Sequence, residues 1–144
     1  MADLTPVRLL IFQVGDLTCA VPVEAAREIV PVEAATRIPG AGAAVQGLVN
    51  VRGGLLTVVD GQRLLDRPSA GAAQSVIVLE TGGRTVGLAV DRVLDLVALP
   101  AAELQDREAL PGLDPRLVRA VGRRDDRLFV VLDTDALLAP VMGG

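Results

Sequence analysis

The chain has 144 residues, 51% of them hydrophobic but only 1% aromatic, and a formal charge of −4. That is enough for one compact unit with an aliphatic core, and it excludes an ordinary nucleic-acid binder, which needs a basic footprint and stacking rings. His, Tyr and Trp are all absent, so the most common general base is missing as well.

From the N-terminus, Asp3, Arg8 and Asp16 bracket a short apolar run. Such charges fit neither a secretory signal nor a membrane span. The single Cys19 cannot form an intrachain disulfide, and a cytoplasmic location is expected. Ile11–Val30 reads as strand, tight turn at Gly15-Asp16, strand, then a further extended segment. Gly tolerates the positive φ that two-residue hairpin turns require. The uncharged stretch Ile38–Val51, with three Gly and one Pro, reads as loop followed by strand. Leu55–Leu65 reads as a strand ending at Asp60 and a short helical turn, with Asp60 as N-cap. Arg67–Gln74, RPSAGAAQ, has the composition of a link.

The second half repeats the first. Val78–Val97 matches Ile11–Val30 at an offset of 67: Gly82 stands for Gly15, Thr85 for Thr18 and Asp95 for Glu28. Leu128–Leu138 matches Leu55–Leu65 at an offset of 73, with Asp133 in the place of Asp60. The extra six residues fall between Pro100 and Arg119. Short strands with Gly/Pro punctuation at this spacing favour barrels over a parallel sheet. The expected fold is all-β, a single domain over 1–144 built from two small subdomains, about 7–67 and 75–138.

Chemistry is scarce. Ser69 and Ser75 have no His partner for a triad. Cys19 sits mid-strand without an adjacent cation to lower its pKa. No Cys/His set can hold zinc, and Asp125-Asp126 reads as a charged hairpin tip without calcium-loop spacing. No cofactor or metal is expected. Carboxylates such as Asp60 and Asp91 serve capping and turns on this reading, the alternative being a carboxylate-based enzyme.

The segment Gly47–Leu65, GLVNVRGGLLTVVDGQRLL, resembles the signature of the CheW-like chemotaxis coupling family in Gly47, Asn50, Arg52, Gly53, Asp60, Arg63 and Leu65. Val86–Val93, VGLAVDRV, looks like the family's second hallmark, and Leu9–Val23 with Arg27-Glu28-Ile29 resembles its start. The resemblance spans about residues 7–139. It departs at Thr57, where the family often has Pro, at Gly61, often Leu, and at Ala26, often a larger aliphatic. It implies two side-by-side five-stranded SH3-like β-barrels with short helical turns. It also implies a non-catalytic adaptor that links the cytoplasmic tip of chemoreceptors to the regulatory domain of a CheA-type histidine kinase, without nucleic acid and without membrane insertion. A scaffold of the same fold in a non-chemotaxis pathway is the alternative.

On this resemblance and on the residues themselves, the candidate partner-binding set is Ala26, Glu28, Ile29, Asn50, Arg52, Gly53, Val93 and Leu94. Arg52 lies in a Gly-flanked apolar strand-turn, so its head must meet water, a carboxylate or a partner. Glu28 is the expected carboxylate, either bracing the turn or orienting Arg52 toward a partner. Val49 and Val76 read as core, and Ala41–Gln46 with Gly53 and Gly54 as a docking edge.

Overall fold

The computed structural model describes residues 6–32, 44–67, 71–106 and 112–142. The first half contains β1 (Pro6–Val14), β2 (Leu17–Pro22), a 3-10 turn (Val23–Ala25), β3 (Ala26–Pro31), β4 (Val45–Val51), β5 (Gly54–Asp60) and the helical turn α1 (Gly61–Leu64). The second contains β6 (Ser75–Thr81), β7 (Arg84–Val90), β8 (Arg92–Pro100), a 3-10 turn (Ala101–Glu103), β9 (Gln105–Asp106), a further 3-10 turn (Pro115–Leu117), β10 (Val118–Arg124), β11 (Arg127–Leu132) and α2 (Thr134–Met142). Each sequence copy therefore runs hairpin, strand, hairpin, helix, and the duplication is visible element by element. The four hairpins close with two-residue turns, at Gly15-Asp16, Arg52-Gly53, Gly82-Gly83 and Asp125-Asp126. The expected caps are made: Asp60 Oδ1 accepts from Gln62 N at 2.9 Å and Asp133 Oδ1 from Ala136 N at 3.1 Å.

The copies and the sheets are divided differently. One sheet has six strands in the order β8-β1-β2-β11-β10-β9, the other five in the order β3-β6-β7-β5-β4. The first hairpin of each copy has crossed into the sheet built by the other copy. The exchange is symmetric in register. Val58 pairs with Gly87 where β5 meets β7 in parallel, and Val131 pairs with Ala20 where β11 meets β2. Ala26 pairs with Leu79 and Val93 with Phe12, and both ladders carry a bulge just beyond that point. The sequence boundaries 7–67 and 75–138 thus separate the repeats, while each sheet takes strands from both. The five long strands of each sheet meet the expected all-β, two-part architecture. Among the described residues no backbone ladder joins the first and last strands of either sheet.

The exchange explains the composition of the hairpins. Each sheet has its own apolar interior, Leu9, Ile11, Ala20, Phe129 and Val131 in one and Val49, Leu56, Val58, Val76, Val78 and Ala89 in the other. A third, larger cluster lies between the sheets and takes Leu10, Phe12 and Val14 from β1 and Ile77, Leu79, Val86 and Leu88 from β6 and β7. The exchanged hairpins are buried on both faces, so their strands read as near-continuous apolar runs instead of alternating ones. Val49 and Val76 are core residues, as their sequence context suggests.

Polar contacts clasp the two sheets. Arg67 donates from Nε to Asp16 Oδ1 at 2.8 Å and from Nη2 to Asp16 Oδ2 at 2.9 Å, joining the end of α1 to the β1–β2 turn. On the opposite side Asp135 of α2 accepts from the Thr81 hydroxyl at the β6–β7 turn. Gly61 opens α1 where a Cβ would stand 2.7 Å from Ala89 O. That close approach accounts for glycine where the larger Leu is common in the resembling family.

Candidate functional site

Arg52 and Gly53 form the β4–β5 turn with φ of 54° and 81°. A two-residue hairpin of this hand needs positive φ at both positions. An arginine there is strained by about 1 kcal/mol or more, and the strain must be compensated locally. Asn50 supplies part of the compensation: its Oδ1 accepts from Gly53 N at 3.0 Å. Glu28 of β3 lies beside it, with Oε2 at 2.9 Å from Arg52 Nη2. The order of the five-stranded sheet places β3 and β4 at opposite edges. The Arg52–Glu28 pair is therefore a side-chain bridge between the β4–β5 turn at one edge and β3 at the other.

The bridge uses only a fraction of the guanidinium. The Arg52 side chain is 81% exposed and that of Glu28 27%. A pair so wet contributes little to stability, whereas its free donors remain available to a ligand. Around it stand Arg27, Val78 and Thr85 in a shallow polar depression. Arg27 is itself tied to Glu80, Nη1 to Oε2 at 2.8 Å. Ile29, next along β3, is 46% exposed, and Leu55, directly opposite Asn50 on β5, is 72% exposed.

Six of the eight candidate residues thus lie on the five-stranded sheet: Ala26, Glu28, Ile29, Asn50, Arg52 and Gly53. Ala26 packs against the cluster between the sheets, and Ile29 faces solvent. The other two, Val93 and Leu94, belong to β8 of the six-stranded sheet. Val93 packs on the same intersheet cluster as Ala26, whose place it takes in the second copy. Leu94 takes the place of Arg27 and packs on the interior of the six-stranded sheet. Of the expected docking edge, Ala41–Ala43 lie outside the described residues, and Gly53 and Gly54 are exposed.

Sequence reading missed three features. The bridge has a twin: Asp95 of β8 pairs with Arg124 of β10, again from one edge toward the other. The match of Asp95 to Glu28 at the offset of 67 was the available signal. Leu55 is the most exposed large hydrophobic residue described, and its equivalent Leu128 is also exposed, at 40%. Arg67, which reads as the first residue of a link, is a clasp whose side chain is only 14% exposed. Its neighbours in sequence, Pro, Ser, Ala and Gly, hide that role.

Among the described residues no three His, Cys, Asp or Glu side chains gather as a metal site, and no helix is long and apolar enough to cross a membrane. Burial raises the Cys19 thiol well above its ordinary value, outweighing the opposing pull of Arg67. The thiol is therefore protonated and inert in the fold.

The model of the CheW-like domain matches residues 8–141. The chemotaxis protein CheW of Rhizobium meliloti is 30% identical over 132 residues, covering 90% of this chain and 85% of that protein. The probable chemotaxis protein CheW of Rhizobium etli is 29% identical over 134 residues, with 91% and 86% covered. The crystal structure of the scaffolding protein TtCheW from Thermoanaerobacter tengcongensis superposes with a TM-score of 0.82 over 89% of each chain at 20% identity, a likeness of fold. With the signature turn at Asn50–Gly53 in place and the family model spanning nearly its whole length, this chain belongs to the CheW-like family.

Proposed function

We propose that this protein is a non-catalytic adaptor of a chemosensory pathway, coupling the cytoplasmic tip of chemoreceptors to the regulatory domain of a CheA-type histidine kinase in the cytoplasm. Its family and its curated relatives support the coupling role. The observation that carries the reading at residue level is Arg52. It is held in a strained turn and oriented by Glu28, yet its side chain is mostly exposed. Strain retained at an exposed position points to recognition. Ile29 and Leu55 add exposed apolar surface beside it, the combination that suits an amphipathic helix or a β-edge partner. No cofactor or metal enters this reading.

The test is titration calorimetry of the full chain against a receptor-tip fragment and a kinase regulatory domain from the same organism. Wild-type protein is expected to bind both. Arg52→Ala should weaken at least one association by about 1–3 kcal/mol, the range for losing a charged hydrogen-bonded contact, with an unchanged thermal midpoint. Wild-type binding to neither partner would sink the proposal.

A further inference from the structure

The side chains at the end of α1 do more than cap a link. Asp66 adopts φ of 52° without being glycine, a strained conformation that turns the chain back on the helix. Arg67 N then donates to Gln62 O at 2.8 Å, which fixes the backbone of Arg67. From there the guanidinium leaves the five-stranded sheet's side of the molecule and forks onto Asp16 in the six-stranded sheet. Its remaining Nη1 donates to Gly112 O at 3.3 Å. All three groups of the guanidinium are used, and the planar fork matches the carboxylate in a way that Lys cannot.

Gln62 extends the same grip. Its Nε2 donates to Asp91 Oδ1 at 2.8 Å, and Asp91 N donates to Gln13 O at 2.9 Å. Asp91 is the residue at which the chain crosses from β7 in one sheet to β8 in the other. Val93 follows two residues later. The other crossing, Val23–Ala25, leads directly to Ala26. On the opposite side, among the described residues, α2 meets the β6–β7 turn through Asp135 and Thr81, and the position matching Arg67 at the offset of 73 is Pro140. One side of the seam is thus held by a bidentate pair in which Arg67 is largely buried and Asp16 is exposed.

We infer that Arg67, with Gln62, is a positioning residue: it sets the angle between the two sheets and so the placement of Ala26 and Ile29 relative to Val93 and Leu94, for a partner that touches both sheets. This inference rests on the adaptor reading for the identity of that partner. A receptor tip that spans the seam depends on the clasp. A kinase domain docking on the Gly53–Gly54 edge touches the five-stranded sheet alone and does not.

The experiment compares wild type, Arg67→Ala and Arg67→Lys as full chains. Affinities for the receptor-tip fragment and the kinase regulatory domain are read side by side. Spin labels at Thr85→Cys and Arg119→Cys, one on each sheet, in a Cys19→Ala background report the distance between sheets. Arg67→Ala should weaken receptor binding tenfold or more, leave kinase binding within twofold, and broaden the distance distribution. Arg67→Lys, which keeps the charge but not the fork, should fall between. Equal losses for both partners, or a distance distribution as narrow as wild type, would overturn the inference. If Arg67→Ala does not fold, Asp16→Asn, which weakens the same pair from the other side, carries the same comparison. If wild type binds neither partner, the adaptor reading fails, and the clasp is then judged by the distance distributions alone, an unchanged width in Arg67→Ala overturning it.

Discussion

The two sheet interiors are made from equivalent positions and filled in different ways. In the five-stranded sheet Val49 and Leu56 share the space, and Gly87 of β7 makes room for them: a Cβ there would lie 2.7 Å from Val76 Cγ1 and 2.9 Å from Leu56 Cδ2. In the six-stranded sheet the counterparts are Gly122, Phe129 and Ala20. The Phe129 ring lies over Gly122 so closely that a Cβ would be 2.9 Å from both Cε carbons and nearer still to Cζ. Two medium side chains and a glycine on one strand are exchanged for one large ring and a glycine on another. A duplicated fold therefore constrains the volume of an interior more than the identity of any residue in it, as close packing requires.

Truncations test this most severely. Phe129→Ala should cost about 3–5 kcal/mol, because the ring alone fills what two side chains fill in the other sheet. Leu56→Ala should cost less within the range of about 2–5 kcal/mol, since Val49 remains beside it. Urea denaturation at constant m-value would measure both, and equal losses would mean that the two interiors relax alike.

A transplant comes next. Gly122→Val should lose about 1–3 kcal/mol by overpacking against the ring. Adding Phe129→Leu, which installs the other sheet's solution, should recover at least half of that loss in the same denaturation assay. A double variant no better than Gly122→Val would show that the two interiors are not interchangeable.

Cys19 distinguishes the copies by pH. Its equivalent in the second copy is Val86. Because burial raises the folded thiol pKa, the unfolded chain loses its proton first, near the ordinary thiol value of about 8.5. Stability is then complete below that pH and falls above it, by about 1.4 kcal/mol per pH unit at the steepest. Cys19→Val should remove this decline between pH 8 and 10 in thermal melts, leaving only whatever other groups contribute.

The smallest effects belong to the twin bridges. Glu28→Ala and Asp95→Ala should each change stability by less than about 1 kcal/mol, as exposed pairs do. Only the former should alter partner binding, because Arg52 is the proposed contact and an arginine at positive φ is costlier than Asp125 and Asp126, which hold positive φ in the twin turn. Equal binding losses in calorimetry would make the Asp95–Arg124 side a contact of equal standing.

Much of this was legible in the residues. The Gly pairs at 15 and 82 and the Asp caps at 60 and 133 mark local conformations, and local conformation is what a sequence encodes most directly. Arg52 and Glu28 stood out because a lone charge in an apolar turn must be accounted for. The hairpin exchange was not legible, since β5 with β7 and β11 with β2 are long-range pairings that either arrangement of apolar strands satisfies. The same long-range pairings decide that Val93 and Leu94 lie on the six-stranded sheet while the other six candidates lie on the five-stranded one. The role of Arg67 lay in a partner fifty residues away, and nothing in RPSAGAAQ points to it.

The position of the first hairpin also sets an order of events during synthesis. The five-stranded sheet needs nothing beyond β7 and can close once residue 90 has left the ribosome. The hairpin β1–β2 is made earliest, but its neighbours are β8 and β11, and β11 ends at Leu132. Two strands that are apolar on both faces must therefore wait, with open edges, through most of translation. Such edges are the sites at which nascent chains associate wrongly, so the earliest-made part of this protein is the one most in need of a chaperone.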